Sequence, residues 1–373
     1  MRKLFHLTHS PIACYFRPSV RDFVVREIPL YEPSGVGEHL IVLVRKKELS
    51  TFEMVEILSN TLGLKSAQIG YAGLKDKHAT TYQYLSIPRS FESKLSACSA
   101  SLNERGIKVL EHRAHTNKLR VGHLRGNSFF MRLKKLTPLE AQKAINALEV
   151  LKDSGFANYF GDQRFGRDGQ NYQEGEKILE NLRITRDKKI ARFLLFAYQS
   201  HLFNLWLLER MRLSAMIETC SPRELARSAR GYGVLDCVLC DEGVLCALKE
   251  QEQFFKLLRG DVAVHYPYGR AFVIDDVGIE SARFSKRQIA PSGALCGKKL
   301  ISAQGVALEI ERAFVDTRLR EAGSRRYAWV WAQDVAYTYK PEVAQMELEF
   351  ALPKGSYATI FLETLLNRSL SQS

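Results

Sequence analysis

Residues 70–83 read Gly-Tyr-Ala-Gly-Leu-Lys-Asp-Lys-His-Ala-Thr-Thr-Tyr-Gln. One carboxylate, Asp76, sits among Lys75, Lys77 and His78. Nearby positive charge favours the ionised form of an acid. A carboxylate on a loop, beside side chains that attract phosphates, suits nucleophilic or base chemistry on a nucleotide. Gly70 and Gly73 allow tight backbone turns next to a strand. A solvated turn with offsetting charges would satisfy the same pattern. The Gly-x-x-x-x-Gly-Lys-Ser/Thr spacing of a P-loop is absent.

The flanking elements must hold this loop. Residues 22–27 and 39–45 are rich in β-branched residues and read as strands, as does 81–87 directly after the loop. Between them, Ser50 and Glu53 form a capping-box pattern. Phe52, Val55, Leu58 and Leu62 give the helix that follows an apolar face, and Gly63 ends it. Further strands are predicted at 107–111 and 127–135. A helix then opens on Thr137, Pro138 and Glu140 and runs to Gly155. Residues 170–215 read as two longer helices, 231–310 as short apolar runs broken by turns. Strand character returns at 327–331 and 346–350, and a last helix follows Gly355 and Ser356. Strands and helices alternate without a regular βαβ repeat, which predicts an α+β fold rather than a doubly wound parallel sheet.

The 373 residues suffice for about two domains. Lys and Arg exceed Asp and Glu, for a net charge of +13. Such a balance favours a polyanionic partner, because basic groups near phosphates release condensed counterions. No apolar run is long enough to span a membrane. The start lacks a signal-peptide core, and the seven cysteines are irregularly spaced. A cytoplasmic protein is expected, with no membrane partner.

Several blocks carry a family resemblance. The 70–83 segment resembles the signature of TruD-type pseudouridine synthases, in which the aspartate between two basic residues is catalytic; that position is Asp76. Asp22-Phe23-Val24-Val25-Arg26-Glu27 resembles the family's N-terminal strand, whose phenylalanine contributes to the substrate site. The run 118–129 resembles the basic stretch ending in Gly-Asn-x-Phe, so its asparagine and aromatic map to Asn127 and Phe129. Residues 158–166 and 200–204 are similar to blocks at the entry to, and within, an inserted domain. Residues 355–359 resemble the C-terminal block, with Tyr357 where the family can carry phenylalanine.

The resemblance implies a mixed, largely antiparallel catalytic sheet with flanking helices, split between 1–155 and 330–373, and an α/β insertion over 156–329. It implies isomerisation of uridine to pseudouridine, at position 13 of tRNA, with tRNA as partner and no obligate protein partner. The reaction imports no group and changes no redox state, so no cofactor is expected. Phe23, Phe129 and Tyr357 would hold the detached uracil by stacking, and Asn127 would hydrogen-bond a uracil edge or orient the Asp76 loop. Lys75, Lys77, His78, Lys118, Arg120, Arg125 and Arg132 are the candidate RNA contacts. By pattern alone Phe23 could be core, one of Phe129 and Phe130 must be, Tyr357 could staple the last helix, and Asn127 could be a turn residue.

Cys237, Cys240 and Cys246 invite a zinc reading, but no second close pair completes it, and buried free thiols are expected instead. Action on another RNA, or RNA binding without catalysis, are the competing functions. A nucleotide-dependent methyltransferase would want a Gly-rich cofactor loop after the first strand, and none is present.

Overall fold

The computed structural model describes residues 3–166, 168–183, 185, 187–228 and 231–370. Residues 1–2 and 371–373, at the ends of the expected 1–155 and 330–373 segments, lie outside them. The chain divides into two units. One comprises Ile12–Asn146 and Ala332–Gly355, the other Met1–Pro11, Ala147–Trp331 and Ser356–Gln372. The division falls within the helix Pro138–Ser154.

The first unit is built on an eight-stranded sheet. Its strands are β1 (Phe23–Pro29), β2 (His39–Lys47), β3 (Gly70–Tyr71), β4 (Thr80–Pro88), β5 (Ile107–His115), β6 (Leu124–Lys134), β7 (Gln333–Lys340) and β8 (Gln345–Pro353). Their order is β7-β8-β6-β1-β4-β2-β5, with β3 also on β4. Only β1 and β4 run parallel; every other pairing is antiparallel. This is the mixed, largely antiparallel sheet that the resemblance implied.

The helix α1 (Thr51–Leu62) opens with the full capping box, Ser50 and Glu53 each bonding the other's backbone, and closes on Gly63 at φ 66°. Its buried stripe is Thr51, Met54, Val55, Leu58 and Leu62. The expected apolar face is corrected at one position: Phe52 is 62% exposed, because a helical step of about 100° takes it off that stripe. Met54, Val55, Leu58 and Leu62 share one core with Leu40, Val42 and Val44 of β2 and Leu85 of β4.

The second unit holds a four-stranded sheet, ordered Ser324–Tyr327, Ile289–Leu295, Val262–His265 and Ala271–Val273, and a two-stranded pairing of Trp329–Val330 with Phe156–Ala157. The strand expected at 327–331 is thus broken in two, with each half in a different sheet. The expected helical pair is Asn171–Leu179 and the 32-residue helix Lys188–Thr219. Cys240 and Cys246 are exposed and Cys237 half-buried, contrary to the buried thiols expected. The segment is helical, so Val238, Leu239, Leu245 and Leu248 turn inward and leave the cysteines facing out. Among the described residues, no three His, Cys, Asp or Glu side chains converge as metal ligands. None of the described helices is long and apolar enough to cross a membrane.

Candidate active site on the large sheet

Strand register gathers the site. Cross-strand partners share a face, and so do residues two apart along a strand. Lys46 pairs with Thr81, Thr81 with Val25, Val25 with Phe129, and Phe129 with Phe350. One step along, Glu27 pairs with Asn127 and Asn127 with Leu352, while Gln83 pairs with Val44. Phe23, Glu27, Lys46, Thr81, Gln83, Asn127 and Phe129 therefore lie on one face of the sheet, the face that α1 covers at Val42 and Val44. This polar patch is set in apolar surroundings.

The Asp76 loop is pinned to that face. Gln83 Nε2 donates to Gly73 O at 2.7 Å, and Thr51 Oγ1 accepts from Lys75 N at 2.9 Å while donating to Gln83 Oε1 at 3.2 Å. Lys46 Nζ donates to Asp76 O at 2.9 Å and also to Leu49 O. The backbone on both sides of Asp76's own amide is thus held by side chains whose rotamers are fixed by burial. Lys46, Thr81 and Gln83 each have 0% exposure.

Charge on the face is finely offset. Burial pushes the Asp76 carboxyl above the usual carboxylate range, while the ammonium groups of Lys46 and Lys75 pull it back. Burial also pushes the Lys46 ammonium down to about 8, against the opposing pull of Asp76. Lys75 is buried against Glu27 at 2.7 Å. Burial raises the Glu27 carboxyl despite that partner. Two buried polar oxygens, Asn127 Oδ1 and Thr81 Oγ1, have no hydrogen-bond partner among the described residues. A buried acceptor left unpaired costs on the order of 1–3 kcal/mol; Asn127 is half-buried, whereas Thr81 has no exposed surface for a ligand to meet.

The candidate residues fare unequally. Asp76 is half-buried, and Asn127 stands beside Glu27 on the same face. Phe23 and Phe129 are 2% and 5% exposed and lie parallel, 6.2 Å apart, with Phe350 beyond at 5.5 Å. They form a packed column within the sheet face, and Phe130 points to the other side. Lys77 and His78 are exposed, Lys77 pairing with Glu53 at 2.6 Å. Lys75 is not a surface cation, since its charge is spent on Glu27. Arg132 is likewise engaged, with Asp22 at 3.1 Å and Glu347 at 2.9 Å. Arg120 and Arg125 are exposed, and Lys118 is half-buried, donating to Ala67 O.

Tyr357 belongs to the second unit, where it meets Phe160 edge-on at 6.1 Å. Arg326, buried, lies 3.8 Å from the Phe160 ring and donates to Asn158 O at 3.0 Å. Asn204 clasps Phe160, accepting from its N–H at 2.8 Å and donating to its carbonyl at 3.0 Å. The blocks at 158–166 and 200–204 are thus hydrogen-bonded to one another.

Sequence reasoning assigned no role to Glu27, Lys46, Thr51, Thr81 or Gln83. A signal existed for two of them. Lys46 continues the core phase Leu40, Val42, Val44, and Glu27 continues Phe23, Val25; a charge at a core phase is rare unless it is used.

Residues 2–183 and 238–365 match the family described as tRNA pseudouridine synthase D (TruD). The chain is 50% identical over 369 residues to the tRNA pseudouridine synthase D of Helicobacter hepaticus, covering 98% of this chain and 96% of that protein. It is 48% identical over 370 residues to that of Wolinella succinogenes, covering 99% of each. A Methanosarcina mazei structure, described as a candidate tRNA pseudouridine synthase D, superposes with a TM-score of 0.67 at 19% identity, over 100% of this chain and 97% of that one, and shares the fold. On its matched length and identity, the chain belongs to the TruD family of tRNA pseudouridine synthases.

Proposed function

We propose that this protein isomerises uridine to pseudouridine in tRNA, at position 13, with Asp76 as the catalytic carboxylate. The observation that carries the reading is the polar patch on the sheet face: a half-buried carboxylate on a loop pinned by Lys46 and Gln83, with the unpaired Asn127 Oδ1 on the same face. The reaction breaks the C1′–N1 bond, turns the uracil and joins C1′ to C5; the C5 proton leaves and N1 gains one. Attack on the sugar, attack on the base and removal of a sugar proton all need an ionised carboxylate. Burial raises the Asp76 carboxyl, and the Lys46 and Lys75 ammonium groups oppose that rise in favour of the ionised form.

Asn127 Oδ1 accepts from the imide N–H of uracil, the donor that a turning base keeps. Phe23 and Phe129 supply the apolar wall below it. A base reaches Asp76 only after leaving its stack, so the target nucleotide is flipped. Lys77, His78, Lys118, Arg120 and Arg125 contact phosphates; Lys75 and Arg132 act by holding the loop and the sheet. Catalysis resides in the split domain, 1–155 and 330–373, within whose bounds the large sheet lies, and 156–329 is the inserted domain. The working compartment is the cytoplasm, tRNA is the only macromolecular partner required, and the chemistry runs without a cofactor.

Asp76→Asn keeps the size and removes the charge. With tRNA carrying tritium at uracil C5, tritium release should fall below about a hundredth of the parent rate while tRNA affinity stays within a few-fold. A variant that still releases tritium near the parent rate would show that Asp76 is not the essential group.

A further inference from the structure

A cavity of about 450 Å³ opens in the sheet unit, and none of its walls comes from the 73–76 loop. Its size falls in the range of small-ligand sites. One wall is aromatic: the Tyr31 ring stacks on His115 at 5.0 Å, and the Tyr31 hydroxyl bonds His123 Nδ1 at 2.8 Å. His115 Nδ1 accepts from the backbone N–H of Ser34 at 3.1 Å, so the neutral ring carries its proton on Nε2. Lys118 and Arg120 bring positive charge to the opening, and Glu32 and Asn117, both exposed, bring a carboxylate and an amide.

This set of groups fits one nucleotide. Cations take the phosphate, aromatic rings take a base face, and the carboxylate with the amide reads a base edge. A site for bare phosphate would have no use for Glu32, which repels it. A surface tracking a duplex would need no cavity.

The pocket is also stitched to the Asp76 loop. Gly122 N donates to Ala72 O at 2.7 Å, and Leu119 N to Ser86 Oγ at 2.9 Å, tying the 116–123 connection to the segment that enters the loop and to β4, which leaves it. A smaller adjoining cavity shares Tyr31 and His123 with the first and reaches Glu27, the partner of Lys75. We infer that this pocket takes one unstacked nucleotide of the RNA substrate, other than the target uridine, and thereby selects which uridine is modified. The inference rests on the reading that the substrate is tRNA.

Two substitutions test it. Asn117→Trp fills the cavity, and Glu32→Lys removes the base-reading acceptor while adding positive charge. Both should raise KM for tRNA by about 5- to 100-fold, the loss of one stacked base, with kcat at saturating tRNA and thermal stability little changed. Glu32→Lys is decisive in sign, because a diffuse basic surface would bind tRNA more tightly after gaining a lysine. A photo-crosslinker on Asn117→Cys should label a single nucleotide that is not the target. Unlabelled tRNA should compete, and millimolar nucleoside monophosphates should not. Unchanged or lower KM in both variants of an active parent, scattered labelling, or competition by free mononucleotides instead of tRNA would overturn the pocket assignment. A parent that makes no pseudouridine would overturn the functional reading instead, and does so in an assay that does not involve the pocket variants.

Discussion

Lys46 has no exposed surface, and its ammonium is satisfied by two backbone carbonyls. Its positive charge beside Asp76 opposes the effect of burial on that carboxyl. Activity that needs a carboxylate is lost as pH falls through the pKa of Asp76, and removing Lys46 moves that pKa further up. Lys46→Gln, which keeps a donor and drops the charge, should therefore shift the acid limb of the single-turnover rate to higher pH. KM for tRNA at the plateau should stay within about twofold. An unmoved acid limb would mean that the lysine supports the loop only by hydrogen bonding. At this scale Asp76 was singled out by the family resemblance of the 70–83 segment, because one acid among Lys75, Lys77 and His78 suits a solvated turn equally well. Lys46 and Glu27 were not read, since a lone charge at a core phase is easily taken for a strand end. Pattern alone allowed a core place for Phe23 and for one of Phe129 and Phe130; that the one is Phe129 depends on Phe350, which lies far along the chain.

Elements place these residues through close backbone approach. Gly126 precedes Asn127 on β6 and faces Pro353 of β8 across the sheet. A Cβ there would sit 2.1 Å from Leu352 O. Gly126→Ala should prise β6 from β8, cost about 1–3 kcal/mol or more, and displace Asn127. The expected result is a lowered melting temperature together with a lost rate; parent-like stability would mean that the strands slide without penalty. Caps and strands with strong local signals were readable, including the Ser50 capping box and the helix that ends at Gly155. The broken strand at 327–331 was not, because Tyr327 and Trp329 owe their pairings to different partners, Ser292 and Ala157. The helices around Cys237 and Cys246 were missed for another reason: short apolar runs do not distinguish a buried strand from one helical turn.

Over the whole molecule, the net charge of +13 agrees with a polyanionic substrate. Affinity for tRNA should weaken steeply with salt. Arg120→Glu should lower the log–log slope by at least roughly 0.7–0.9, one phosphate contact. Arg132 divides its charge between Asp22 and Glu347, so Arg132→Gln should leave the slope nearly unchanged and instead lower thermal stability. Equal slopes for the parent and Arg120→Glu would remove Arg120 from the RNA surface. The sequence ranked these arginines alike, since charge is visible in one dimension and its neutralisation only in three.

The order of strands across the large sheet has a consequence for how the protein is made. β6 takes β8 as its neighbour, and β8 leaves the ribosome about two hundred residues later. At roughly 5–20 residues per second, the nascent chain carries an unpaired strand edge with Phe129 uncovered for some 10–40 s. Pairings of such long sequence separation form slowly and leave an edge open to other chains in the meantime. Ribosomes stalled before residue 345 should thus display a sheet that is sticky and protease-sensitive at β6, and release of the finished chain should abolish both properties within one folding time.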